Sequence, residues 1–252
     1  MTRLFHVSDL HFGKADQAAL DWFAATVEAE RHDAVICTGD LTMRARSHEF
    51  AAAGRYLAAL PVPVTVEPGN HDLPYFNPID RFFTPYRRYG EVERLVERPL
   101  DLSNVTVVPL KTTARAQWRT NWSWGKISEK ALQRALALLE SVPADHFKIV
   151  ACHHPLLDKE GMESSAKTLR GKEALQALTE AGAQAILSGH VHDPFDIEHV
   201  IEGRTVRTIG AGTLSERVRA YPPSFNELRI GDDRLLHVVH RIADGASANP
   251  TV

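Results

Sequence analysis

Residues 34–40 read Ala34-Val35-Ile36-Cys37-Thr38-Gly39-Asp40, a continuous apolar run of strand length stopped by a glycine and a carboxylate. Upstream, Arg3 to Ser8 reads as a short strand, and residues 16–30 carry Leu20, Phe23, Ala24 and Val27 at helical spacing. Downstream, Ser47 is the expected N-cap of a helix from Glu49 to Leu60, which Pro61 ends. Val62 to Val66 is the next strand, broken by Pro68-Gly69. Strand, helix, strand, helix, strand in this order implies a parallel sheet with right-handed crossovers. Reactive loops in such sheets collect at the carboxyl ends of the strands. Here each end carries a polar cluster: Asp9 and His11, Asp40, then Asn70 and His71.

The second half repeats the pattern. Residues 74–98 are less regular, punctuated by Pro74, Pro78 and Pro85, and residues 101–110 read as a strand. Ser128 caps a helix to Leu139, a strand from Phe147 to Cys152 runs into His153-His154-Pro155, and a helix spans about 172–181. The strand Ala185 to Leu187 ends in Ser188-Gly189-His190-Val191-His192. Strand-like runs follow at 195–201, 205–209, 225–230 and 235–239, and turn signals at Glu202-Gly203 and Gly231-Asp232-Asp233 predict antiparallel hairpins. Two α/β halves, each with a sheet, pack as a four-layer α/β/β/α sandwich of two mixed sheets flanked by helices. Residues 1–243 read as one domain and 244–252 as a flexible tail.

The chain has 252 residues, 44% hydrophobic and 24% charged, which suits a globular protein and excludes fibrous and disordered classes. A net charge of -3 gives no basic field for a dedicated nucleic-acid or membrane surface, while leaving a nucleotide open as substrate. The 2 cysteines, Cys37 and Cys152, sit in apolar runs outside any C-x-x-C spacing, so they read as small buried hydrophobes. No basic segment followed by an apolar one opens the chain, and no run approaches a membrane span, so the expected location is cytoplasmic.

Five short motifs follow one another at the predicted strand ends: Asp9-x-His11, Gly39-Asp40, Gly69-Asn70-His71-Asp72, His153-x-Pro155 and Gly189-His190-x-His192. Each alone is common; five in this order make coincidence improbable. The arrangement resembles the calcineurin-like metallophosphoesterase family over about residues 5–192, and in size and texture the small bacterial class III cyclic nucleotide phosphodiesterases within it. The resemblance implies that Asp9, His11 and His192 hold one metal, that Asn70, His153 and His190 hold the other, and that Asp40 bridges both. A carboxylate suits the bridge because it can place one oxygen on each cation and damp their repulsion. Nitrogen and oxygen ligands without sulfur favour Mn, Fe, Zn or Co, so two divalent or mixed-valence transition metal ions per chain are expected. Two such ions, roughly 3.5–4 Å apart, lower the pKa of a bridging water and stabilise the charge of in-line displacement at phosphorus. By the same resemblance His71 is the proton donor to the leaving group, with Asp72 orienting it or raising its pKa.

Other features are weighed against plainer readings. His154 either touches substrate or hydrogen-bonds behind the ligands. His6, His32, His48, His146, His199, His237 and His240 lie outside the motifs and read as structural or surface. Trp118, Trp122 and Trp124, beside Arg115, Arg119 and Asn121, either stack a nucleobase or pack their indoles onto the sandwich. Residues 81–98 hold five arginines, nearly balanced by Asp80, Glu91, Glu93 and Glu97, and read as an amphipathic, salt-bridged segment. Gly210-Ala211-Gly212-Thr213 allows close backbone approach near the site, with Arg217 following as a candidate phosphate contact. The expected activity is hydrolysis of a small phosphodiester, cyclic or linear nucleotides foremost. A phosphomonoesterase, a nuclease and a metal-bound interaction scaffold are the alternatives.

Overall fold

In the computed structural model, residues 1–75, 77–114, 121, 123–157 and 168–243 are described. The expected tail at 244–252, and Arg115, Trp118, Arg119 and Trp122, lie outside the described residues. In chain order the first half comprises β1 (Thr2–Val7), α1 (Gln17–Glu30), β2 (Ala34–Cys37), α2 (Ser47–Ala58), β3 (Val64–Val66), α3 (Pro78–Phe83) and α4 (Arg87–Val96). The rest comprises β4 (Val105–Pro109), α5 (Glu129–Ser141), β5 (Phe147–Ala151), α6 (Gly171–Glu180), β6 (Ala185–Ser188), β7 (Phe195–Ile201), β8 (Arg204–Gly210), β9 (Ser224–Ile230) and β10 (Leu236–Ile242). One sheet has the order β10-β9-β1-β2-β3 and the other β4-β5-β6-β8-β7.

Each central strand is apolar on both faces because both faces are covered. Leu4, Ile36, Leu228 and Ile230 from the first sheet meet Phe147, Ile149, Leu187 and Ile209 from the second in a shared inner core. The alternate residues Phe5, Val7, Val35 and Cys37 pack outward on Leu20, Phe23, Val27 and Leu57 of α1 and α2. On the far side Val150, Cys152 and Ile186 pack on Leu132, Leu139, Leu175 and Leu178 of α5 and α6. Three apolar layers between four structural layers give the expected α/β/β/α sandwich of two mixed sheets. Both cysteines are buried and unpaired, as their apolar runs predict. Among the described residues no helix is long and apolar enough to cross a membrane.

Three local features differ from the sequence reading. Residues 74–98 contain two helices, and α4 buries Tyr89, Val92 and Val96 against its neighbours. That 3-4 spacing is masked in the sequence by the charges between, which form the expected ion pairs Arg87–Glu91 and Arg88–Asp80. Ser47 is the first residue of α2 and not its cap; the Glu49 carboxylate accepts the amides of Arg46 and Arg44. The hairpin β9-β10 returns to the first sheet, with β9 antiparallel to β1 in a register that pairs Leu4 with Leu228. A half-by-half reading cannot see this long-range pairing.

Candidate metal centre

The polar residues sit just beyond the carboxyl ends of five strands. Asp9 and His11 follow β1, Asp40 follows β2, Asn70 to Asp72 form a single 3-10 turn after β3, His153 follows β5, and His190 and His192 follow β6. The segment after β8 closes over them: Thr213 Oγ1 donates to the Asp9 carbonyl at 2.7 Å and shares a hydrogen bond with Ser215 Oγ. Asp9, His11, Asp40, His190 and His192 all adopt left-handed backbone conformations, with φ between 45° and 71°. Each such residue costs about 1 kcal/mol or more, and this kind of strain collects where side chains must converge. At Gly189 a Cβ would lie 2.5 Å from Asp9 Oδ2 and closer still to Ser8 Oγ, so the G-H-x-H loop needs its glycine for close approach.

The side chains converge in two groups that share a middle. Asp9, His11 and His192 bring ligand-capable atoms within 4.8 Å of one another, as do Asp9, Asp40 and His153. His153 Nε2 also lies 3.2 Å from Asn70 Oδ1, and its ring centroid is 5.2 Å from that of His190. Between the groups, Asp40 Oδ2 lies 3.7 Å from His11 Nε2 and 3.4 Å from His153 Nε2. Asp40 Oδ1 is taken by the His71 amide at 2.8 Å. The one-oxygen-per-cation bridge is therefore not the geometry on offer: a single oxygen, Oδ2, faces both groups.

The protons are fixed by backbone carbonyls. Nδ1 of His11 faces Thr42 O at 3.3 Å, Nδ1 of His153 faces Thr38 O at 2.7 Å, and Nδ1 of His192 faces Arg217 O at 2.7 Å. A carbonyl only accepts, so each Nδ1 carries a hydrogen and each Nε2 faces inward as the atom that a cation would take. His11 Nε2 and His192 Nε2 face each other at 3.2 Å, and the buried Asp9 Oδ1 lies 3.1 Å from His192 Nε2. Imidazole nitrogens and carboxylate oxygens converging in one buried pocket are the atoms that a cation takes in place of protons, so this donor set fits metal ions. Burial raises the Asp40 carboxyl, but His153, His71 and His11 outweigh it and hold the group well below the usual carboxylate range. Burial likewise lowers His153, yet the charges of Asp40 and Asp9 carry it up to about 9. The pocket draws positive charge toward itself.

His71 stands at the edge of this pocket, its ring edge-on to that of His11 at 4.8 Å. Its Nδ1–H donates to Met43 O at 2.7 Å, which leaves Nε2 facing inward. The expected pairing with Asp72 is absent. Asp72 instead accepts the amides of Leu41, Thr42 and Gly69 and the Thr42 hydroxyl, tying the loops after β2 and β3 together. Adjacent residues in the 3-10 turn point apart, so the carboxylate is directed at the backbone and the imidazole at the pocket. His154 is also committed internally, with Nδ1 on Thr112 Oγ1 and Nε2 on Ser123 O, both at 2.9 Å. His6 and His240 belong to a buried network through Asn226 below the site. Arg217, only a weak candidate in the sequence, brings Nη1 to 3.1 Å from His71 Nε2 and 3.2 Å from His11 Nε2.

The comparisons with known proteins agree with this architecture. The model of the calcineurin-like phosphoesterase family matches residues 2–194. A glycerophosphodiester phosphodiesterase of Enterobacter lignolyticus is 33% identical over 92 residues, which cover 30% of this chain and 33% of that protein. This chain thus spans about a third of that relative. A dimetal phosphatase from Danio rerio shares the fold with a TM-score of 0.65 at 14% identity, over 96% of this chain and 95% of its own. The purple acid phosphatase of yellow lupin does so with a TM-score of 0.63 at 17% identity, over 98% of this chain and 52% of its own. A family match across most of the chain, on a four-layer sandwich whose strand ends converge in paired His and Asp clusters, places the protein in the calcineurin-like phosphoesterase family.

Proposed function

We propose that the protein is a dinuclear metal-dependent hydrolase of small phosphodiesters, of nucleotide or glycerol type. Asp9, His11 and His192 would hold one cation and Asn70, His153 and His190 the other, with Asp40 lying between the two sets. The observation that carries this reading is the set of inward Nε2 atoms, His11 against His192 and His153 against Asp40 and Asn70, each ring locked by a carbonyl on Nδ1. Two cations, of Mn, Fe, Zn or Co type, supply an activated water and neutralise charge on the phosphate oxygens. The chain's own residues supply the rest. Met43 O fixes the His71 ring, so that its protonated Nε2 can hand a proton to the leaving alkoxide. Asp72 sets the distance between the loops that carry Asp40 and Asn70. The preference for a diester is supported by the glycerophosphodiester phosphodiesterase to which part of the chain is related.

The test is hydrolysis of bis(p-nitrophenyl) phosphate by Mn-reconstituted protein, with bound metal counted in the same sample. Turnover with about two metals per chain is expected. Faster turnover of p-nitrophenyl phosphate would make it a monoesterase, metal without any turnover would point to the scaffold, and absence of bound metal would overturn the reading.

A further inference from the structure

We infer that Arg217 is a phosphate-binding residue that grips a non-bridging oxygen of the substrate beside His71; the inference rests on the function proposed above. The segment carrying Arg217 is held by buried hydroxyls. Thr213 Oγ1 is bonded to Asp9 O and Ser215 Oγ, and Ser215 Oγ accepts the Arg217 amide at 3.3 Å. The Arg217 carbonyl orients His192, while its guanidinium reaches across to the pocket. One residue thus serves the centre twice, through its backbone and through its charge.

A guanidinium has five N–H donors and needs acceptors. The two it touches at the pocket are ring nitrogens, His11 Nε2 and His71 Nε2. His11 would give its lone pair to a cation, which leaves one ring nitrogen, His71 Nε2, for a guanidinium with five donors. The further acceptor for Arg217 at that place is an anionic oxygen, and the substrate brings one. Guanidinium groups bind phosphate through short charge-assisted hydrogen bonds in a planar fork, which a lysine ammonium reproduces only in part. The position also fits the chemistry. The guanidinium sits beside the proton donor, and so beside the oxygen that leaves.

The experiment is calorimetric titration of the Mn-loaded protein with inorganic phosphate, with bound metal counted for the wild type, Arg217→Ala, Arg217→Gln and Arg217→Lys. Arg217→Ala and Arg217→Gln are expected to keep wild-type metal content and lose about 10- to 100-fold in phosphate affinity, with Arg217→Lys recovering part of the loss. Phosphate binding as tight as wild type in Arg217→Ala, with metal intact, would overturn the inference. Loss of metal in both Arg217→Ala and Arg217→Gln would also overturn it, because the residue would then only hold the site together. A wild type that binds phosphate through Arg217 yet turns over no diester would sink the proposed activity and leave this inference standing.

Discussion

His11 and His192 face each other through Nε2 at 3.2 Å while both Nδ1 atoms are committed to carbonyls, of Thr42 and of Arg217. These two nitrogens, next to the buried Asp9 Oδ1, form a site that only the folded chain offers to a cation. Binding of a cation to the folded chain alone should therefore raise its melting temperature. At a free Mn concentration of 100 times Kd, the gain is about 2.7 kcal/mol, or roughly 5–10 °C for a chain of this size. Scanning calorimetry of chelated and Mn-loaded samples checks this. An identical Tm in the two would contradict the proposed ligand set.

The His71 and Asp72 pair separates two roles that sequence reading merged. His71→Ala should keep both metals and wild-type stability but lose about 10²–10⁴-fold in turnover of a diester with a poor leaving group. Undiminished turnover with such a substrate would remove His71 from the mechanism.

Asp72→Ala should act on stability first. It strips the acceptor from the amides of Leu41, Thr42 and Gly69, all in buried loops. Each unsatisfied buried donor costs about 1–3 kcal/mol, so urea unfolding should show a loss of about 3 kcal/mol or more. A variant as stable as wild type, but with a displaced alkaline limb in its pH–rate profile, would restore the carboxylate–imidazole pairing.

How much of this was legible in the sequence follows from what each feature needs. The sandwich was readable because strands covered on both faces must be apolar throughout, as in Ala34 to Cys37 and Phe147 to Cys152. The seven candidate ligands were readable because each lies at the end of such a run. What escaped were features with no local signal. Left-handed conformations at Asp9, His11, Asp40, His190 and His192 occur where no glycine advertises them. The true partner of His71 is a carbonyl, Met43 O, which any residue could supply. Arg217 was a candidate phosphate contact from its place after Gly210 to Thr213, but its carbonyl on His192 and its approach to His11 and His71 come only from the β8 to β9 excursion. The addition of β9 to the first sheet depends on pairing with β1, at the other end of the chain.

The glycine of the last motif offers a steric prediction. A methyl group at 189 cannot fit beside Asp9 Oδ2 and Ser8 Oγ without moving the loop that positions His190 and His192. Gly189→Ala should cost about 1–3 kcal/mol in urea unfolding and reduce bound metal below two per chain. Full metal content at wild-type stability would show that the close approach is not needed.

Glu67 gives a pH dependence apart from the metal ligands. It sits at the end of β3, only 8% exposed, on a groove of about 570 Å³ that also touches Glu93, Glu97 and Arg98. Burial pushes its carboxyl up to about 8, with Glu97 and Glu93 adding to the rise and Lys111 opposing it. The folded state thus holds a proton that the unfolded chain releases near pH 4.5. Between those values the native state binds more protons than the unfolded one, so this group makes stability fall as pH rises. Glu67→Gln removes the ionisable group while keeping shape and polarity. It should match the wild type near pH 5 and gain on it steadily, by on the order of 3 kcal/mol at pH 8. Urea unfolding of both proteins at the two pH values makes the comparison. A difference that stays constant with pH would mean that Glu67 finds its countercharge when folded.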